Sequence, residues 1–209
     1  MMRALLAVAL AAGSAFGMQE QNANQEPVYV FGTSVVIPSG LQGTIYYISH
    51  SEKKLLDFDK GKPRGTIYAS SLNIPPQDYK LGFPGISNRL EWFAIDYRGK
   101  FWVENAGDYR FELTADDGAM LYVDGQLVID NSGLHPPVTL NGKAGLRQGT
   151  HTIRVTYFQG IKYQVALVLK IARPGEEYRV FNTNEFRPPA TFTGPGDTNP
   201  EATGAQSAK

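Results

Sequence analysis

The chain has 209 residues, with 20 Lys plus Arg against 20 Asp plus Glu, so its formal net charge is zero and no single-sign field argues for nucleic acid or an anionic surface. It contains no cysteine, which excludes disulfides, thiol nucleophiles and a lipid-modified N-terminal Cys. Only 19% of residues are charged while Gly (22) and Pro (13) are frequent, a composition that fits a turn-rich, all-β, extracellular protein.

The chain opens on Arg3 and an unbroken apolar stretch from Ala4 to Ala12. Ala15-Phe16-Gly17 then places small residues at the two positions a signal peptidase reads. This pattern predicts a secretory signal over residues 1–17, too short to remain as a transmembrane anchor. No other segment is apolar enough to span a bilayer, so the expected location is outside the cytoplasm: periplasm, cell surface or medium. Residues 18–27 are polar and Gln/Asn-rich, and read as a flexible leader.

A single globular domain is expected over 28–186. Gly43-Thr-Ile-Tyr-Tyr-Ile48 is β-branched and aromatic, a strand composition. The stretch from Asp57 to Arg89 is rich in Pro and Gly and reads as long excursions from the body. Tyr109, Phe111 and Leu113 alternate with Arg110, Glu112 and Thr114, the period of a half-buried strand. The run on to Asp130 reads as three short strands separated by two acidic turns. The first turn is Asp116-Asp117-Gly118; the second, Asp124-Gly125, is a strong hairpin signal. Asp130 and Asn131 suit a turn capped by side-chain to backbone bonds.

Further on, Asn141-Gly142, Gln148-Gly149 and Arg173-Pro174-Gly175 carry turn chemistry. Ile153, Val155 and Tyr157 share one face of another strand. Tyr163, Val165, Leu167, Leu169 and Ile171 share one face of the next, whose other face is also largely apolar, so it is expected in a sheet interior. Residues 187–209 hold too little apolar surface to fold and read as a disordered tail. Without a long helical period, the expected architecture is an all-β antiparallel sandwich.

The sequence speaks against an enzyme. It has no G-x-S-x-G elbow, no H-E-x-x-H and no phosphate-cradling glycine loop, and only three histidines. Adjacent acids also suit a shared ion better than a glycosidase pair, whose carboxyls flank a bond about 5–10 Å apart. Trp92, Trp102 and Tyr97 are open between core positions and a sugar-stacking platform.

Five segments carry a resemblance: Phe93-Ala-Ile-Asp-Tyr-Arg-Gly-Lys-Phe101, Ala106-Gly-Asp-Tyr-Arg-Phe111, Ala115-Asp-Asp-Gly-Ala-Met-Leu-Tyr-Val-Asp-Gly125, Val128-Ile-Asp-Asn131 and Gly149-Thr-His-Thr-Ile-Arg-Val-Thr-Tyr-Phe158. In that order they resemble the protective-antigen-type (PA-fourteen) domain, a jelly-roll-like β-sandwich of bacterial toxins, glycosidases and yeast flocculin lectins. The resemblance covers about residues 41–171. It implies a secreted, lectin-like module that recognises a glycan or other cell-surface ligand, assisted by Ca²⁺. In the flocculin-type lectins two consecutive aspartates joined by a cis peptide hold the ion, which itself contacts sugar hydroxyls. Asp116 and Asp117 match that pair, and hard oxygen ligands suit Ca²⁺. An asparagine completes the ion's shell in those lectins, where this chain has Gln159. Ser132 stands where the family often has Trp. The resemblance, together with the preference of binding residues for loops, further implies ligand contacts from Gln159, from the loop Gly160-Ile161-Lys162 and from Tyr163, while His135, between Leu134 and Pro136-Pro137, reads as a loop residue and a further candidate contact. The competing expectation is a non-catalytic structural or protein-interaction module of the cell envelope, with a protein partner and no bound metal.

Overall fold

A computed structural model describes residues 40–50, 58, 60–86 and 89–189. The expected signal (1–17), the leader (18–27) and the tail beyond 189 lie outside the described residues.

Alternating inward and outward side chains produce two antiparallel sheets that face each other. The first holds β1 (Leu41–Tyr47), β2 (Pro63–Ala69), β4 (Phe93–Val103), β6 (Gly118–Val123), β7 (Gln126–Asn131) and β9 (Gly149–Gln159), in the order β2-β1-β4-β9-β6-β7. The second holds β5 (Gly107–Asp116), β8 (Val138–Leu146), β10 (Gln164–Ala172) and β11 (Arg179–Val180), in the order β11-β10-β5-β8, with β3 (Asn73–Asp78) also paired to β10. The expected all-β sandwich is what forms. Between the sheets lies the core, where Tyr109, Phe111 and Leu113 of β5 meet Ile153, Val155 and Tyr157 of β9. As the two-faced apolar pattern requires, β10 is interior to its sheet, flanked by β5 on one side and by β3 and β11 on the other.

Two expectations need correction. The Pro- and Gly-rich stretch from 57 to 89 is not merely excursion, since it contributes β2 and β3. Proline is tolerated there because both strands are edges, where a missing N–H costs no ladder bond. Pro75-Pro76 also sits where the β3–β10 register slips, between Val165 and Leu167. Asn141-Gly142 is not a turn either: it lies within β8, with Asn141 opposite Glu112 and Gly142 opposite Phe111. Gly142 is there for close approach, because a Cβ at that position would stand 2.5 Å from the Val128 carbonyl of the facing sheet.

Asp124-Gly125 does close the β6–β7 hairpin, with positive φ at both residues (48° and 76°). Asp124 has a second task. Its carboxylate meets His151 Nδ1 at 2.6 Å and accepts the Thr152 N–H at 2.8 Å, fastening that hairpin to β9.

On the outer face of the first sheet, Tyr46, Ile48, Phe58, Trp92, Ala94 and Phe158 form a second, smaller apolar cluster. Trp92 and Tyr97 are therefore both packed in cores rather than available as a stacking platform. No helix among the described residues is long and apolar enough to cross a membrane.

Candidate functional site

The first acidic turn is not a hairpin. Strand β5 ends at Asp116 in one sheet and β6 begins at Gly118 in the other, so Asp116-Asp117-Gly118 carries the chain across one end of the sandwich. The Asp116–Asp117 peptide is cis, as the resemblance implies. Both acids are buried, at 5% and 2% exposure, yet both line a cavity of about 260 Å³. The loop after β7 supplies Leu134, His135 and Pro136 to its wall, and the loop after β9 supplies Ile161, Lys162 and Tyr163.

The two acids are held differently. Asp117 accepts the Gly160 N–H at 2.6 Å, and the His135 and Ile161 N–H groups also favour its charged form. Even so, burial raises its carboxyl above the ordinary range. The Asp116 side chain has no hydrogen-bond or ion-pair partner among the described residues. Burial first, and the adjacent Asp117 charge second, push the Asp116 carboxyl up to about 7, with His135 opposing. Both His135 ring nitrogens face carbonyls, Pro136 O at 2.8 Å and Asn131 O at 3.2 Å.

The sign of the resulting pH dependence follows. A carboxyl raised in the folded state binds more protons there than in the unfolded chain, so stability falls as pH rises through the interval between the two values. In chelator, the melting temperature is expected to decline as pH rises from about 4 to about 7. The Asp116→Asn variant should flatten that decline; an equal slope in both proteins would show that Asp116 is not the strained group.

The Gln159 side-chain oxygen, expected at the ion, is not presented to the cavity. It is fully buried, with Tyr157 Oη donating to Oε1 at 2.5 Å while Nε2 donates to Ile161 O and Gln164 O. The same Tyr157 hydroxyl lies 2.6 Å from Asp116 O. The reason is periodicity: Gln159 continues the inward face of Ile153, Val155 and Tyr157. Its amide thus braces the loop from within. Of the other expected ligand residues, His135, Lys162 and Tyr163 line the cavity with the two acids, and Gly160 reaches Asp117 through its backbone. Tyr163 is 78% exposed with φ 140°, a ring standing open at the rim. Ile161 belongs to the loop expected at the ligand-facing end, whereas sequence reasoning missed Leu134, Pro136 and Gln164, although the apolar residues flanking His135 were a usable signal.

The donor set suits a hard cation in charge and in atom type. Asp116 is a buried acid with no partner, aimed into a cavity beside a second acid, so a cation there would relieve both desolvation and mutual repulsion. The set is also sparse. Among the described residues no group of three or more His, Cys, Asp or Glu is placed to hold a metal. Remaining coordination positions would fall to water and to ligand oxygens.

Comparison with known proteins adds family and fold. Residues 84–183 match the family model described as PA14 domain. The search of curated proteins returned no match. Among solved structures, the PA14 domain of the MpAFP antifreeze protein is 17% identical with TM-score 0.58, over 75% of this chain and 94% of that one. A PA14 sugar-binding domain from an RTX adhesin is 20% identical with TM-score 0.55, over 69% and 96%. An anti-sigma factor domain-containing protein is 20% identical with TM-score 0.57 over 73% of this chain, which spans only 49% of that protein's length. At these identities the likeness bears on the fold.

Proposed function

Since residues 84–183 match the PA14 domain family model, we infer that this protein is a non-catalytic carbohydrate-binding module, exported by its N-terminal segment, whose Asp116 and Asp117 hold Ca²⁺. The observation that carries this reading is the partnerless, buried Asp116 carboxylate directed with Asp117 into one cavity. The sugar-binding role named for the RTX adhesin domain supports the ligand class. The apolar stretch behind Arg3 supports export.

When bound, the ion supplies positive charge and open positions for sugar hydroxyls. The chain's own residues do the rest. Gly160 N–H orients one oxygen of Asp117, and the buried Tyr157–Gln159 pair fixes the loop that carries Ile161, Lys162 and Tyr163. Leu134, Pro136 and Tyr163 offer apolar surface to the C–H faces of a pyranose, in keeping with the mixed lining of small-ligand sites.

A glycan array tests the reading. Wild-type protein in millimolar calcium should bind defined glycans, and binding should fall at least tenfold with chelator or in Asp117→Asn. Silence across the array with calcium present would overturn it. A second reading, an envelope interaction module without metal, draws on the engagement of the Gln159 oxygen by Tyr157 and on the sparse donor set. Array silence together with a specific co-purifying protein would favour it.

A further inference from the structure

A second cavity of about 390 Å³ adjoins the site. Its wall consists of His50, Tyr79, Arg89, Leu90, Glu91 and Lys162, and Lys162 lines both cavities. Backbone bonds fasten the two together: Tyr79 N–H donates to Tyr163 O at 3.2 Å, and Trp92 N–H donates to Gly160 O at 3.2 Å. Arg89 is fixed by its donors, with Nε 2.8 Å from Trp92 O and one Nη 2.9 Å from Ile48 O. Bonds to neutral carbonyls hold the guanidinium without cancelling its charge. Lys162 is exposed and has no ion pair among the described residues. Two cations, Arg89 and Lys162, thus line this cavity with one acid, Glu91, and Lys162 also lines the neighbouring cavity beside Asp116 and Asp117.

This polarity is a ligand description. We propose that the protein selects glycans bearing an anionic substituent, with the hydroxyls of one sugar at Asp116 and Asp117 and the negative group of the sugar or its neighbour in the cavity between Arg89 and Lys162. The proposal rests on the carbohydrate-binding reading and specifies its ligand class. Concave sites with an excess of one sign of charge raise affinity and on-rate for the opposite sign, in a salt-dependent way.

The test uses the full-length protein, calcium, and matched probes: an oligogalacturonate, its carboxyl-reduced neutral counterpart, and a sulfated galacto-oligosaccharide. The anionic probes should bind about tenfold more tightly than the neutral one at low salt, and the ratio should shrink as salt rises. Preference for the uronate, the sulfate ester or both identifies the source of the negative group. Lys162→Glu should lower the anionic-to-neutral affinity ratio at least tenfold, and Glu91→Gln should raise it. The ratio is read within each protein, so a general loss of folding does not mimic the result. Equal affinity for anionic and neutral probes, or a ratio unmoved by both variants, overturns the anion selection alone. Absence of binding to every probe and to a neutral glycan panel overturns it together with the carbohydrate-binding reading.

Discussion

Replacing Phe181 with alanine is expected to destabilise the fold by about 3–5 kcal/mol, the usual cost of truncating a fully buried phenylalanine. Phe181 is 0% exposed and sits where the chain returns to close the sandwich at the end away from the acid pair. Its N–H donates to Leu169 O, its ring meets Phe101 edge-on at 5.6 Å, and it stacks on Phe186 at 5.4 Å. Phe186 in turn lies beneath Arg173 at 5.0 Å and Arg179 at 5.8 Å, and its carbonyl accepts the Trp102 N–H at 2.7 Å. Thr183 adds a backbone bond to Ser70. Urea unfolding of wild type and Phe181→Ala measures the effect. A loss below about 1 kcal/mol would mean that residues 181–186 rest on the body without sealing it.

Gly118→Ala is expected to damage fold and site together. Gly118 starts β6 and is present for space. A Cβ there would stand 2.7 Å from Gly133 N and 2.8 Å from Gly133 O. Those atoms are backbone, so no rotamer change relieves the overlap, and the loop from Ser132 to Pro136 must move. Leu134, His135 and Pro136 move with it, away from the acids they enclose. Overpacking of this kind costs about 1–3 kcal/mol, and glycan affinity should fall at least tenfold. Gly160→Ala is a milder comparison. Its Cβ meets the flexible end of Leu134, with Phe158 Cζ at 3.1 Å and Asp117 Oδ2 at 3.2 Å. Unchanged melting and binding in Gly118→Ala would contradict the packing that positions the site.

Periodicity of two is a direct consequence of the pleat, and it made β5, β9 and β10 legible before any coordinates. It failed for β2 and β3 because Pro and Gly weigh against strand content, and only edge position makes them acceptable. It also failed for Asn141-Gly142, because local turn preference cannot report that a facing carbonyl needs the room of a missing Cβ. Within the site, Asp116-Asp117-Gly118 was visible as an unusual acidic turn, but its passage from one sheet to the other is a tertiary fact. Gln159 shows the reverse. The resemblance sets it at the asparagine position of the ion's shell, although the alternation through Tyr157 already assigns it to the inward face. The cationic cavity was not legible at all, since His50, Tyr79, Arg89 and Lys162 are joined only by the fold.

Calcium titration of the wild-type protein and of Asp116→Asn, followed by calorimetry, addresses the acid pair directly. The wild-type protein should take up one ion per chain with a dissociation constant of about 10⁻⁴–10⁻³ M, the range of extracellular calcium modules, and the variant should give no binding heat. Indistinguishable titrations of the two proteins would contradict a cation held between Asp116 and Asp117.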